Sequence, residues 1–127
     1  MTTRNVKIVE VGPRDGLQNE AALISTEIKV ELIERLVNAG LRNVESASFV
    51  SPRWVPHMGD ASAVMTGITQ QADVVYSALV PNLKGFEAAL EVGVKEIAIF
   101  SAASEAFCQK NTNCSIAESL GRFESIM

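Results

Sequence analysis

The run Asn5-Val-Lys-Ile-Val-Glu-Val11, followed directly by Gly12-Pro-Arg-Asp-Gly-Leu-Gln18, decides how the rest of the chain is read. Residues 5–11 are rich in β-branched side chains and stop at Gly12-Pro13, a turn signal, so they predict a strand. The loop that follows has no GxGxxG spacing, which disfavours a dinucleotide fold. It carries instead an Arg beside an Asp at the mouth of the strand.

Outward from this unit the same alternation continues. Ser25 or Thr26 can cap a helix in which Ile28, Leu32, Ile33, Leu36 and Val37 share a face, and Gly40 stands where a left-handed residue ends it. A second strand is expected from about Arg42 to Ala47. A loop with Pro52 and Pro56 leads to a helix from near Asp60, whose apolar side is Val64, Met65 and Ile68. Asp73 to Val80 reads as a third strand closed by Pro81-Asn82. Asn82 can cap the next helix, through Phe86, Ala89 and Leu90 to Gly93. Val94 to Phe100 is the fourth strand. Ser115-Ile-Ala-Glu118 matches a capping box ahead of a helix facing inward through Ile116, Leu120, Phe123 and Met127.

Four strands, each followed by a helix, imply a parallel sheet, because parallel neighbours need crossover connections. The class is α/β. Long polar loops after the strand ends favour the C-terminal face of a barrel over a doubly wound sheet. A complete (β/α)8 barrel takes roughly 250 residues, and Met127 falls inside an amphipathic pattern with no Gly, Asn or Pro to stop it. The expectation is therefore residues 1–127 as the N-terminal (βα)4 portion of a TIM barrel, one domain that continues beyond them.

Composition narrows the function classes. With 47% hydrophobic and 20% charged residues the chain is globular, not disordered. A net charge of −4, with no basic run interleaved with aromatics, argues against nucleic-acid binding and against a basic membrane surface. No apolar run is long enough to cross a bilayer. Met1-Thr-Thr-Arg-Asn5 leads straight into the first strand without a signal-peptide core, which reads as a cytoplasmic protein. Cys108 and Cys114, with five residues between them, form neither a CxxC pair nor a usual zinc spacing and read as reduced, structural cysteines.

The residues able to carry chemistry sit in loops at strand ends. Asp15 offers a hard oxygen ligand for a divalent cation. Arg14 offers a permanently charged donor for an oxyanion. An Arg14–Asp15 ion pair that merely stiffens the loop is the alternative. Glu45, in an apolar and small-residue run near the end of the second strand, reads either as an active-site acid or as a partner for Arg14. Ser48 offers a hydroxyl, or is simply a loop residue. His57 reads as a surface residue. Asn82, Lys84 and Gly85 open a helix whose amides could meet a phosphate, and capping by Asn82 explains them equally well.

Several stretches together resemble one family. Val9 to Glu20, Glu45-Ser-Ala-Ser-Phe-Val-Ser-Pro52, Trp54-Val-Pro56, Met58-Gly-Asp60, Pro81 to Glu87, Ala103-Ser-Glu105 and Asn113-Cys-Ser-Ile116 are similar to 3-hydroxy-3-methylglutaryl-CoA lyases. These belong to a wider TIM-barrel metallolyase group with isopropylmalate and homocitrate synthases and the carboxyltransferase domain of pyruvate carboxylase. The likeness runs from residue 5 to residue 127.

It implies cleavage of 3-hydroxy-3-methylglutaryl-CoA to acetyl-CoA and acetoacetate, as in leucine breakdown and ketone-body formation, aided by Mg²⁺ or Mn²⁺. By the resemblance, Asp15 is a metal ligand and Arg14 stabilises the enolate-like thioester oxygen. Glu45 is an active-site acid, and Gln18 and Ser48 contact substrate. The family's other metal ligands, a His-x-His pair and an Asn, and its reactive cysteine belong to a C-terminal half that these residues do not include. The 127 residues alone are thus expected to be a poor lyase. A rival reading is a half barrel acting as a non-catalytic interaction module, whose open sheet edges and uncovered inner face favour a homo-oligomer. A lyase for a related 3-hydroxyacyl-CoA is a third.

Overall fold

The computed structural model describes residues 4–127, so the reading of the first three residues as a start without a signal lies outside the described residues. Three parallel strands form the sheet: β1 (Asn43–Ser48), β2 (Val75–Leu79) and β3 (Glu96–Ala98), in that order. Helices α1 (Thr26–Asn38), α2 (Ala61–Gly67) and α3 (Leu83–Glu91) supply the crossovers, followed by α4 (Glu105–Thr112) and α5 (Ile116–Glu124). The helix starts follow local chemistry. Ser25, Asn82 and Ser115 each accept a hydrogen bond from the amide three residues on, at 3.4, 2.9 and 3.1 Å. Gly40 and Gly93, just beyond α1 and α3, take φ of +113° and +76°, the left-handed region expected for both.

One face of the sheet is apolar and covered. Val44, Tyr76, Ala78 and Val80 pack there with Ile33 and Val37 of α1, Val64 and Met65 of α2, and Ala89 of α3. In the paired register Glu45 lies beside Ser77, and Ser77 beside Glu96, so the other face carries a polar row. Across that face Lys7 Nζ reaches Glu96 Oε1 at 3.1 Å, although Lys7 precedes β1 and Glu96 lies on β3. In a flat sheet three strand spacings would hold their backbones roughly 14 Å apart. The contact fits a sheet that curls around its polar face, as a barrel wall does.

Three expectations need correction. The first strand, expected over residues 5–11, is reduced to a single bridge between Glu10 and Val44. Val6 and Ile8 are 81% and 69% exposed, so this segment has β1 on one side and no packed face to hold a longer ladder. In α1 the buried row is Lys29, Ile33 and Val37, whereas Ile28 is 57% exposed. Lys29 turns inward because its ammonium binds the Asp60 carboxylate at 2.7 Å and the His57 carbonyl. Asp60 also accepts from Thr26 at 2.7 Å, so α1 is stapled to the start of α2. In α5 Phe123 faces the core, but Leu120 and Met127 lie exposed. No element was expected at α4, where Ser104 caps the start and Asn113, with φ of +54°, ends it.

Gly85 marks the closest approach of a helix to the sheet. A β-carbon there would lie 2.4 Å from the Phe49 carbonyl oxygen and 3.2 Å from the Pro81 ring. Gly85→Ala should therefore destabilise the fold by about 1–3 kcal/mol. Urea unfolding checks this, and an unchanged midpoint would mean that α3 shifts freely on the sheet.

Candidate functional site

The loop after the Glu10 bridge closes as a short π-helical turn, Gly12–Gly16. The amides of Arg14, Asp15 and Gly16 all converge on the Val11 carbonyl, at 3.1, 2.7 and 3.3 Å. Glu10 adds a carboxylate oxygen that accepts from the Gly12 amide at 2.8 Å. Turns of this kind are uncommon and concentrate at functional sites. Here it throws the Arg14 side chain back over β1.

Arg14 is the centre of the cluster. Its Nε donates to Glu45 Oε1 at 2.5 Å and its Nη1 to Asp15 Oδ1 at 3.2 Å. Both alternatives left open by the sequence are thus realised together: Arg14 pairs with its neighbour in the loop and with the strand carboxylate. Glu45 is buried and Arg14 largely so, while the Asp15 side chain is 55% exposed. Arginine has five N–H donors; two are engaged here, which leaves three without a partner among the described residues. The arrangement is a fixed cation, held by a buried carboxylate, with donors to spare for an incoming oxygen.

Gln18 is half-buried in the helical turn that continues the loop, and Ser48 is buried at the end of β1. Neither is hydrogen-bonded to the Arg14 cluster among the described residues, so three of the five candidate side chains meet directly. Asn82 caps α3 through the Gly85 amide, as the simpler reading had it. His57 is not a plain surface residue: its ring is half-buried, and Nε2 is enclosed without a partner among the described residues.

Cys108 and Cys114 are both free and buried. They flank the Thr112 hydroxyl, which donates to the Cys108 carbonyl at 2.8 Å and lies 3.3 and 3.2 Å from the two sulfurs. The Cys108 thiol is held below its ordinary value chiefly by Thr112, against burial, which pushes it up, and with help from Ser101, Ser119 and the Ala102 backbone. This is a packed structural pair with no histidine beside it.

A divalent cation would find a suitable donor in Asp15, a half-exposed carboxylate with one oxygen unspent among the described residues. Among the described residues no third His, Cys, Asp or Glu gathers with it, so this chain fits one corner of such a site.

Parallel strands curled around a polar face, with charged side chains clustered at their carboxyl ends, define part of a TIM-barrel scaffold. The hydroxymethylglutaryl-CoA lyase from Pseudomonas aeruginosa superposes with a TM-score of 0.90 and 59% identity, over 95% of this chain and 40% of that one. An HMG-CoA lyase from Acinetobacter baumannii, solved with coenzyme A and 3-methylmalate, superposes at 0.90 with 39% identity, over 93% and 39%.

Residues 5–127 match the HMGL-like family model, and the chain belongs to that family. Mitochondrial hydroxymethylglutaryl-CoA lyase of Pongo abelii is 58% identical over 124 residues, 98% of this chain and 38% of that protein. The 3-hydroxy-3-isohexenylglutaryl-CoA/hydroxy-methylglutaryl-CoA lyase of Pseudomonas aeruginosa is 57% identical over 124 residues, 98% and 41%. The chain thus spans about two-fifths of the length of the curated relatives it matches. No helix among the described residues is long and apolar enough to cross a membrane.

Proposed function

We propose that these residues form the enolate-stabilising part of a lyase that splits 3-hydroxy-3-methylglutaryl-CoA into acetyl-CoA and acetoacetate, in a cytoplasmic setting. They would constitute the N-terminal half of its barrel domain. The single observation that carries the reading is Arg14, clamped between Glu45 and Asp15 with three N–H donors unspent among the described residues.

The chemistry asks for such a group. As the proton leaves the 3-hydroxyl, the bond between C2 and C3 breaks and C3 becomes the ketone carbon of acetoacetate. The bonding pair passes to the thioester unit, whose oxygen takes up negative charge until C2 is protonated. A guanidinium beside that oxygen is most useful when the charge is greatest, so it accelerates the step instead of merely tightening binding. Glu45 keeps the guanidinium in place, and its burial keeps that contact out of competition with water. Gln18 and Ser48 would supply polar contacts to the substrate. A divalent cation, Mg²⁺ or Mn²⁺, held in part by Asp15, would supply the acidity needed at the 3-hydroxyl.

Asp15→Ala in the full-length gene product should raise the concentration of Mg²⁺ or Mn²⁺ needed for half-activation by about tenfold or more. The Arg14–Glu45 contact should survive, since it does not pass through Asp15. An unchanged metal titration would remove Asp15 from the ligand set.

A related substrate is the second reading, favoured by the Pseudomonas aeruginosa relative whose name includes 3-hydroxy-3-isohexenylglutaryl-CoA. Parallel kcat/KM measurements on thioesters with methyl and isohexenyl groups at C3 separate the two. A clear preference for the longer chain would replace the methyl substrate while leaving the Arg14 chemistry intact.

A further inference from the structure

Alternation along β1 is broken once, beneath the Arg14 cluster. Against β2, Val44 lies beside Tyr76 and Glu45 beside Ser77, but the next pair is Ala47 with Ala78, followed by Ser48 with Leu79. Ser46 has no partner across the ladder, so β1 carries one residue more than β2 over this stretch. This is a β-bulge, a feature rare in parallel pairs and over-represented beside active sites. The extra residue decides which side chains share a face. Strand side chains alternate, so in a regular strand a residue three beyond Glu45 would point to the opposite side, into the helix-covered core. Here Val44 and Ala47 both belong to that core, at 0% and 2% exposure, and Glu45 and Ser48 therefore both turn to the polar face. Ser48 is buried there, and its hydroxyl makes no hydrogen bond among the described residues. It stays available on the face that carries the Arg14–Glu45 contact.

Ser46 itself is 2% exposed, and its hydroxyl donates to the Val44 carbonyl of its own strand at 3.2 Å. The side chain is folded back on the backbone it interrupts. That bond closes a small ring containing the Glu45 backbone, so it restrains the two dihedral angles that aim the Glu45 side chain. We propose that Ser46 is a positioning residue for the reaction: its hydroxyl holds the bulge that aims Glu45, and through it the Arg14 guanidinium, and that brings Ser48 to the same face. The inference rests on the lyase reading above and names the strand feature that sets its geometry. Glu45 receives Arg14 Nε through one oxygen, so a turn of the carboxylate moves the guanidinium with it. The guanidinium has to meet the thioester oxygen at hydrogen-bond distance when the charge there is greatest. A displacement of less than a bond length therefore falls on kcat more than on substrate binding.

The test uses the full-length gene product. Ser46→Ala removes the hydroxyl without adding bulk and should lower kcat for thioester cleavage about tenfold, with KM changed less and the urea midpoint close to that of wild type. Ser46→Thr keeps a hydroxyl on the same β-carbon and should recover most of the lost kcat. Ser46→Val, of the same shape without the donor, should not. Both carry the same added methyl, so its packing cost cancels in the comparison. Combining Ser46→Ala with Arg14→Gln supplies the deciding readout. Because Ser46 acts through Arg14, its removal should change kcat by about twofold at most once the guanidinium is gone. A serine that supports only the fold would cost as much in that background as in wild type. Unchanged kcat in Ser46→Ala, equal kcat in the Thr and Val variants, or the same loss with and without Arg14 would each overturn this assignment. The lyase reading would still stand in those cases, provided that wild-type protein cleaves the thioester. Wild-type protein that cleaves no thioester would overturn both.

Discussion

Arg14→Gln in the full-length gene product should lower kcat for thioester cleavage by about 10²–10³-fold, the usual loss when one oxyanion donor is removed. The effect should fall on kcat and kcat/KM together, because the contact matters most when the thioester oxygen carries charge. A complication is built into the geometry. Removing the guanidinium leaves the Glu45 carboxylate buried without the partner it now touches, so some stability will go as well. Arg14→Lys separates the two effects, since it keeps a charge for Glu45 but loses the planar fork of donors. A folded Arg14→Lys protein with kcat still far below wild type would support a catalytic Arg14. Near-normal turnover in folded Arg14→Gln would leave the residue with a structural role alone.

The second large effect is on stability, at the staple between α1 and α2. Lys29 is 4% exposed and bound to Asp60 and to the His57 carbonyl. Asp60→Ala strands that ammonium in the interior and should cost about 3 kcal/mol. Lys29→Met should cost less, because methionine fills the space of the lysine stem and the Asp60 side chain, 26% exposed, can be hydrated where it stands. Urea unfolding of the two variants gives the comparison. Equal losses would mean that the pair is worth no more than its packing.

That staple also shows where sequence reading reached its limit. Features decided by neighbours in the chain were legible: the caps Ser25, Asn82 and Ser115, and the left-handed glycines ending α1 and α3, depend on a few residues each. The rotation of α1 was not, since what draws Lys29 inward is an aspartate 31 residues away. For the same reason the 5–11 strand was overstated, because strand propensity cannot supply a second neighbour for Val6 and Ile8. Helix α4 was missed because only Cys108 of its residues is buried, and one inward side chain makes no period. At the site, Arg14, Asp15 and Glu45 stood out because charged residues at the end of an apolar strand are unusual in themselves.

The two sealed thiols give the α4–α5 segment a clock. While α4 and α5 are seated, Cys108 and Cys114 are shielded from an alkylating reagent, so labelling proceeds only through moments when that segment lifts. When lifting and reseating are fast, the rate reports the free energy of that local opening, separately from unfolding of the sheet beneath. The segment therefore turns its own opening into a timescale, read by alkylation without any turnover at all.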